Sequence, residues 1–145
     1  KIYTSLDTNA QKALEESNIK ITEKNSQTAK VMMDSKTGGV LGLIGGIDYG
    51  YSQYNRATQA KRQPGSTVKP FLYYRAIEKG FTSTTKFLSN ETTFNFDNNK
   101  TYSPKNYGNI YARKEITLAA ALAYSDNIFA VKTHLFLGQD ELVET

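Results

Sequence analysis

Two apolar runs joined by a glycine turn constrain this chain more than any other feature. Ala29-Lys30-Val31-Met32-Met33-Asp34 reads as a strand, Ser35-Lys36-Thr37-Gly38-Gly39 as a turn, and Val40-Leu41-Gly42-Leu43-Ile44-Gly45-Gly46 as the returning strand of a hairpin. Glycines inside the second strand leave room for a packed helix or another backbone. Two antiparallel strands make a poor sheet by themselves. Any fold that contains this hairpin therefore needs further strands, and the order of elements after it is mostly helical.

Ser5-Leu6-Asp7-Thr8-Asn9 supplies capping side chains for a short helix over Ala10 to Ser17, with Ala10, Ala13 and Leu14 on its apolar face. Thr22 to Thr28 reads as a loop, and residues 48 to 63, polar and tyrosine-rich, as an ordered loop. Pro64-Gly65 introduces a helix from Ser66 to Lys79, closed by Gly80, with Phe71, Leu72, Ala76 and Ile77 on its buried face. Thr92 to Phe96 and Lys100 to Tyr102, around Asp97-Asn98-Asn99, suggest an accessory hairpin. Ile116 to Tyr124 and Ile128 to Leu137 read as two further helices, the second capped by Gly138. The 145 residues suit one domain of α/β (α+β) class with an incomplete antiparallel sheet. The missing strands are expected beyond Thr145, and the start at Lys1, without a methionine, reads as a cut inside a longer protein.

Composition removes several chemistries. With no cysteine, disulfides, thiolate metal sites and cysteine nucleophiles are excluded, and a single histidine, His134, excludes a multi-histidine metal site. A net charge of +4 is spread too evenly to mark a nucleic-acid surface. No apolar run approaches the roughly 20 residues of a membrane span.

Chemistry concentrates in two short segments. Ser66-Thr67-Val68-Lys69 places a hydroxyl and an amine on one side of a helix start. A serine is a weak nucleophile until a base takes its proton, and lysine can serve only if burial or a second cation lowers its pKa. The helix N-terminus would add backbone N–H groups for developing negative charge. Pro70 falls one turn inside this helix and is expected to remove a hydrogen bond there. Ser125-Asp126-Asn127 interrupts two apolar helices with three poor helix-interior residues. Its middle residue is expected to brace the loop, while Ser125 and Asn127 present a hydroxyl and an amide to one cleft. Either segment alone has an ordinary explanation, a solvated helix face or an interhelical turn. Together and in this order they form two-thirds of the Ser-x-x-Lys, Ser-Asp-Asn, Lys-Thr-Gly signature.

Tyr54 to Phe71, with Arg62-Gln63-Pro64-Gly65-Ser66-Thr67-Val68-Lys69-Pro70 at its end, resembles the active-site segment of penicillin-binding transpeptidase domains, most closely the bifunctional class A type. Gly45-Gly46-Ile47-Asp48-Tyr49, Tyr102-Ser103-Pro104-Lys105-Asn106-Tyr107 and Ala121 to Asn127 match that family in order. The resemblance implies a penicillin-binding/serine β-lactamase-like fold, an antiparallel sheet with a helical subdomain, of which residues 1–145 form the N-terminal part. It implies that Ser66 attacks the D-Ala-D-Ala end of a peptidoglycan stem peptide and is acylated by β-lactams. Lys69 would be the base, Ser125 part of the proton relay and Asn127 a ligand of the donor amide. No metal, cofactor or nucleic acid is implied. The enzyme would work at the extracellular face of the bacterial cytoplasmic membrane, held by an anchor absent from this sequence.

One motif departs from the pattern. Lys36-Thr37-Gly38 precedes the nucleophile and reads as the turn of the first hairpin, whereas the family's Lys-Thr-Gly lies after the Ser-x-Asn element. A companion chain or downstream segment is expected to supply it, and without it the chain is expected to be inactive. The rival readings are a class A β-lactamase and a non-catalytic β-lactam sensor domain; the residues before Ser66 favour the transpeptidase. His134 reads as structural or superficial, Phe71, Tyr74 and Ile77 as core, and Arg56 and Lys61 as solvated charges. Tyr49, Tyr51 and Tyr54 fit packing at least as well as a substrate groove.

Overall fold

The computed structural model describes residues 1–18, 26–96, 99–138 and 140–142. Most of the expected 22–28 loop and the tip of the 97–99 turn lie outside them. The chain forms two compact units, Lys1–Gln63 and Pro64–Thr145.

In the first unit, helix α1 (Thr8–Asn18) packs on an antiparallel hairpin of β1 (Lys30–Met33) and β2 (Val40–Ile44). Asp7 caps α1, its Oδ1 accepting from the N–H groups of Asn9 and Ala10 at 2.8 and 3.0 Å. The glycine in β2 has the expected cause: a Cβ on Gly42 would stand 2.9 Å from Leu14 Cδ1 and 3.2 Å from the Gln11 backbone nitrogen. Gln11 uses that proximity, its Oε1 accepting from Leu43 N–H at 2.8 Å. Lys36-Thr37-Gly38 is the hairpin turn, with Asp34 Oδ1 accepting from Lys36 and Thr37 N–H at 2.7 and 3.0 Å. Arg56, read as a solvated charge, instead donates to Ser52 Oγ and Tyr54 O and lies over the Tyr54 ring. Tyr49 and Tyr54 border an open cavity of about 740 Å³ beside Asp48 and Asn55.

The second unit opens with a 3₁₀ turn, Gly65–Val68, that runs into α2 (Lys69–Glu78). The helix expected over Ser66 to Lys79 is thus two pieces, and Pro70 falls in the first turn of α2. Its absent N–H has no intrahelical acceptor to lose there, so the expected defect does not arise. Gly80, at φ +101°, closes α2 in a Schellman turn: its N–H reaches Ile77 O and that of Phe81 reaches Ala76 O.

Strands β3 (Lys86–Ser89) and β6 (Lys114–Thr117) pair antiparallel, and β4 (Phe94–Phe96) with β5 (Lys100–Tyr102) makes the expected accessory hairpin. The helix expected from Ile116 begins two residues later. Ile116 and Thr117 belong to β6, and Thr117 Oγ1 caps α3 (Leu118–Ala123) by accepting from Ala120 N–H at 3.2 Å. Helix α4 (Asn127–Leu137) follows.

The core of this unit joins Leu72, Tyr73 and Ala76 of α2 to Leu118 and Ala121 of α3 and Phe129 and Ala130 of α4, with Phe81 beneath them. Tyr73 meets Phe129 edge-on at 5.9 Å between ring centroids. The buried face of α2 is therefore Leu72, Tyr73 and Ala76. Phe71, Tyr74 and Ile77, expected in the core, are 62%, 57% and 53% exposed and line the opposite face. Among the described residues, no helix is long and apolar enough to cross a membrane.

Candidate active site

The 3₁₀ turn and α2 share a junction at Lys69, and this sets the first two side chains. In a 3₁₀ turn, residues three apart eclipse one another. Ser66 and Lys69 therefore stand on one side, with Ser66 exposed at the tip and Lys69 only 5% exposed beneath it. As the first residues of that turn, Gly65 and Ser66 carry N–H groups that precede its first hydrogen bond, from Thr67 to Pro64 O.

Ser125 reaches the same place from the other side. It follows α3 with φ +54°, left-handed for a residue with a side chain. The reason is a second Schellman turn: Ser125 N–H bonds to Leu122 O at 3.2 Å and Asp126 N–H to Ala121 O at 2.9 Å. Serine here holds the position that Gly80 holds after α2. Its hydroxyl donates to Ser66 Oγ at 2.9 Å.

Lys69 connects the two segments. Its ammonium donates to Ser125 O at 2.6 Å, Ser125 Oγ at 2.9 Å and Asn127 Oδ1 at 2.6 Å, using all three of its N–H bonds. The four side chains singled out in the sequence, Ser66, Lys69, Ser125 and Asn127, thus form one hydrogen-bonded cluster. Its order differs from the simplest expectation, because the path from Lys69 to Ser66 runs through the Ser125 hydroxyl. Burial pushes the Lys69 pKa below its ordinary value, and the negative charge of Asp126 works against that shift. Burial, and then the Asp126 charge, push the Tyr73 phenol the other way, so it stays neutral one turn further along α2.

Asp126 turns inward, as expected of a brace. Its Oδ1 caps α4 by accepting from Phe129 N–H at 2.7 Å, and its Oδ2 accepts from Ser89 Oγ on β3 and from Asn106 Nδ2 at 2.7 Å. Asn127 is held in turn, its N–H donating to Asn106 Oδ1 at 2.8 Å and its Nδ2 to Lys105 O at 2.7 Å. Ser89, Lys105 and Asn106 have no counterpart among the sequence-derived site residues. Asn106 lies in the segment Tyr102 to Tyr107, which carried a resemblance but no assigned role. His134 is half-buried on α4 and outside the cluster. Among the described residues, no three His, Asp or Glu side chains gather into a metal-binding group.

Such an arrangement can move a proton. A buried amine, a bridging hydroxyl and an exposed hydroxyl form a line in which every link is within hydrogen-bond reach, and the exposed end is a nucleophile by type.

A family model for the penicillin binding protein transpeptidase domain matches residues 28–145. The chain is 52% identical over 147 aligned positions to penicillin-binding protein 2D of Bacillus subtilis (strain 168), covering 99% of the chain and 21% of that relative. It is 42% identical over 122 positions to penicillin-binding protein 1A of Neisseria flavescens, covering 81% of the chain and 15% of that relative. The chain therefore spans about a fifth or less of the curated relatives it matches. Among solved structures it resembles penicillin-binding protein 1A from Haemophilus influenzae, with a TM-score of 0.75 and 33% identity over 81% of this chain and 18% of that one. PonA1 from Mycobacterium tuberculosis gives the same TM-score, 0.75, at 23% identity over 99% of this chain and 36% of that one, a likeness of fold alone.

Proposed function

The chain belongs to the penicillin-binding protein transpeptidase family, and on that premise we propose that it carries the acylation half-site of a peptidoglycan D,D-transpeptidase, with Ser66 as the nucleophile. The observation that carries the reading is the unbroken line from the buried Lys69 Nζ through Ser125 Oγ to Ser66 Oγ, each step 2.9 Å.

With Lys69 neutral, its lone pair accepts the Ser125 proton while Ser125 Oγ takes that of Ser66. Ser66 Oγ then bonds to the carbonyl carbon of the penultimate D-alanine of a stem peptide. As the tetrahedral intermediate collapses, the bond to the last D-alanine breaks and its nitrogen receives the proton back along the same line. An amine from a neighbouring stem repeats the steps in reverse and leaves a cross-link. β-Lactams enter at the first step and stay as an acyl group on Ser66. Asn127, whose Nδ2 has one N–H beyond that given to Lys105 O, orients the donor amide.

In this reading the chain is the N-terminal part of one transpeptidase domain, outside the cytoplasmic membrane, and a segment bearing Lys-Thr-Gly after the Ser-x-Asn element completes the site. Lys36-Thr37-Gly38 is occupied as a turn.

Intact-mass spectrometry after exposure to benzylpenicillin tests the proposal, on the chain and on Ser66→Ala, each also with the Lys-Thr-Gly segment joined. The expected result is a lasting adduct that requires Ser66. Rapid loss of the adduct favours a β-lactamase, and its absence from the completed form rejects the nucleophile assignment.

A further inference from the structure

One side chain outside the relay grips both residues that follow Ser125. The Asn106 carboxamide donates to Asp126 Oδ2 at 2.7 Å, accepts from Asn127 N–H at 2.8 Å, and donates again to Ile110 O at 3.1 Å. Its donors and its acceptor are thus all engaged, and it is half-buried. Lys105, its neighbour, fixes the Asn127 side chain through its carbonyl. The turn that aims Ser125 at Ser66 is consequently held from a separate loop, across 20 and 21 residues of sequence.

Such a grip matters because the turn is poorly held by its own conformation. Ser125 is left-handed, a state that costs an L-residue about 1–2 kcal/mol and persists only where surrounding contacts impose it. The contacts after it are those through Asp126 and Asn127. Asn106 also touches the electrostatics. Asp126 is the carboxylate whose field reaches Lys69, and a donated N–H disperses its charge. Among the described residues, the side chains hydrogen-bonded to Lys69, Ser125 and Asn127, are neutral, as are Ser66 beyond Ser125 and the Tyr73 phenol on its own helix. On α4, Lys132 is tied to Leu88 O at 2.6 Å, and His134 is two turns beyond Asn127.

We propose that Asn106 is a positioning residue of this site, setting both the aim of the Ser125 hydroxyl and the negative charge that Lys69 senses. The proposal rests on the acylation reading above, but its first test does not require turnover.

That test follows the Lys69 Cε resonance with pH in chain labelled with [¹³C]lysine, assigned by loss of the signal in Lys69→Arg. Asn106→Ala leaves the Asp126 charge less dispersed, which favours the ammonium, so the Lys69 midpoint is expected to move up. Asn106→Asp keeps the acceptor for Asn127 N–H and sets a second carboxyl against the first, and should move it at least as far. The second test is the rate of benzylpenicillin acylation against pH, in the form completed with the Lys-Thr-Gly segment. Asn106→Ala should slow it about 10- to 100-fold, the scale of a misplaced reacting group, and shift its acid limb upward. Thr133→Val, which loses a buried hydroxyl bonded to Phe129 O, serves as a destabilised control and should shift neither profile. Unchanged Lys69 midpoints and acid limbs in both Asn106 variants would overturn the inference while leaving Ser66 acylation intact. Failure of the form completed with the Lys-Thr-Gly segment to acylate, with the midpoints still moving, would reject the acylation reading and keep Asn106 as the group that tunes Lys69.

Discussion

Two turns in this molecule are built from the same kinds of residue and do opposite things with them. At Asp34 to Gly39 the polar groups bond within the turn: Asp34 Oδ1 takes the N–H groups two and three residues on, and Thr37 Oγ1 takes that of Gly39. At Ser125-Asp126-Asn127 most of them leave the turn, joining Lys69 and Ser66 across 56 to 59 residues and Ser89 across 37. Both spell part of the same three-part signature. Local satisfaction makes the first a device for reversing the chain, and distant satisfaction makes the second a meeting point. Letters in a motif announce chemistry only when their hydrogen bonds go elsewhere.

Substitutions in the two turns should sharpen that contrast. The largest effect belongs to the relay. Ser66→Ala should abolish the penicillin adduct, and Lys69→Met should slow its formation about 10²- to 10⁴-fold, the range lost with a general base, as read by stopped-time mass spectrometry. Next comes Asp126→Ala, which strands the buried donors of Ser89 and Phe129 and removes one partner of the half-buried Asn106 amide. It should lower stability by about 3 kcal/mol in urea unfolding, since each unsatisfied buried group costs about 1–3.

Replacing Ser125 separates conformation from chemistry. Ser125→Gly should be about 1 kcal/mol more stable than Ser125→Ala, because only glycine is at ease with the left-handed backbone, while both lose acylation. Equal stability in thermal unfolding would show that the left-handed state carries no strain.

A pH series follows. Lys69 binds its proton less tightly when folded, so the unfolded chain holds more protons between the lowered folded pKa and the ordinary 10.5. Stability should therefore rise with pH through that window, and Lys69→Met should remove the slope. Acylation should climb with pH as Lys69 turns neutral.

Asp34→Ala gives the smallest change. Backbone N–H groups of Thr37 and Lys36 hold this carboxyl below its usual pKa, so its contribution is present above about that value and fades as pH falls through the lowered one. The variant should loosen the hairpin slightly, visible as a small fall in melting temperature, and leave acylation untouched.

Much of the fold was legible because its signals are local. The hairpin turn, the Gly80 stop and the break at residues 125–127 each announce themselves within a few letters. Strands β3 and β6 did not. Each has four residues, their pairing spans a long loop, and Ile116-Thr117 runs straight into an alanine-rich helix. The inward face of α2 is not legible in the sequence, because Phe71, Leu72, Tyr73 and Tyr74 are all large and apolar in part, and only the partners on α3 and α4 decide which of them turns in. The four clustered side chains could be named from spacing and resemblance. Their support could not, since an asparagine in a loop and a serine at a strand end are ordinary residues in such places, and only contact distinguishes Asn106 and Ser89.

One consequence concerns how this site can be watched. The carboxylate that anchors the turn is also the cap of α4, through Phe129 N–H at 2.7 Å, and that residue is fully buried. Opening the turn and fraying the helix are then a single event. The Phe129 amide should exchange with deuterium only when the anchor lets go, which makes one proton in the core a gauge of the geometry at the surface.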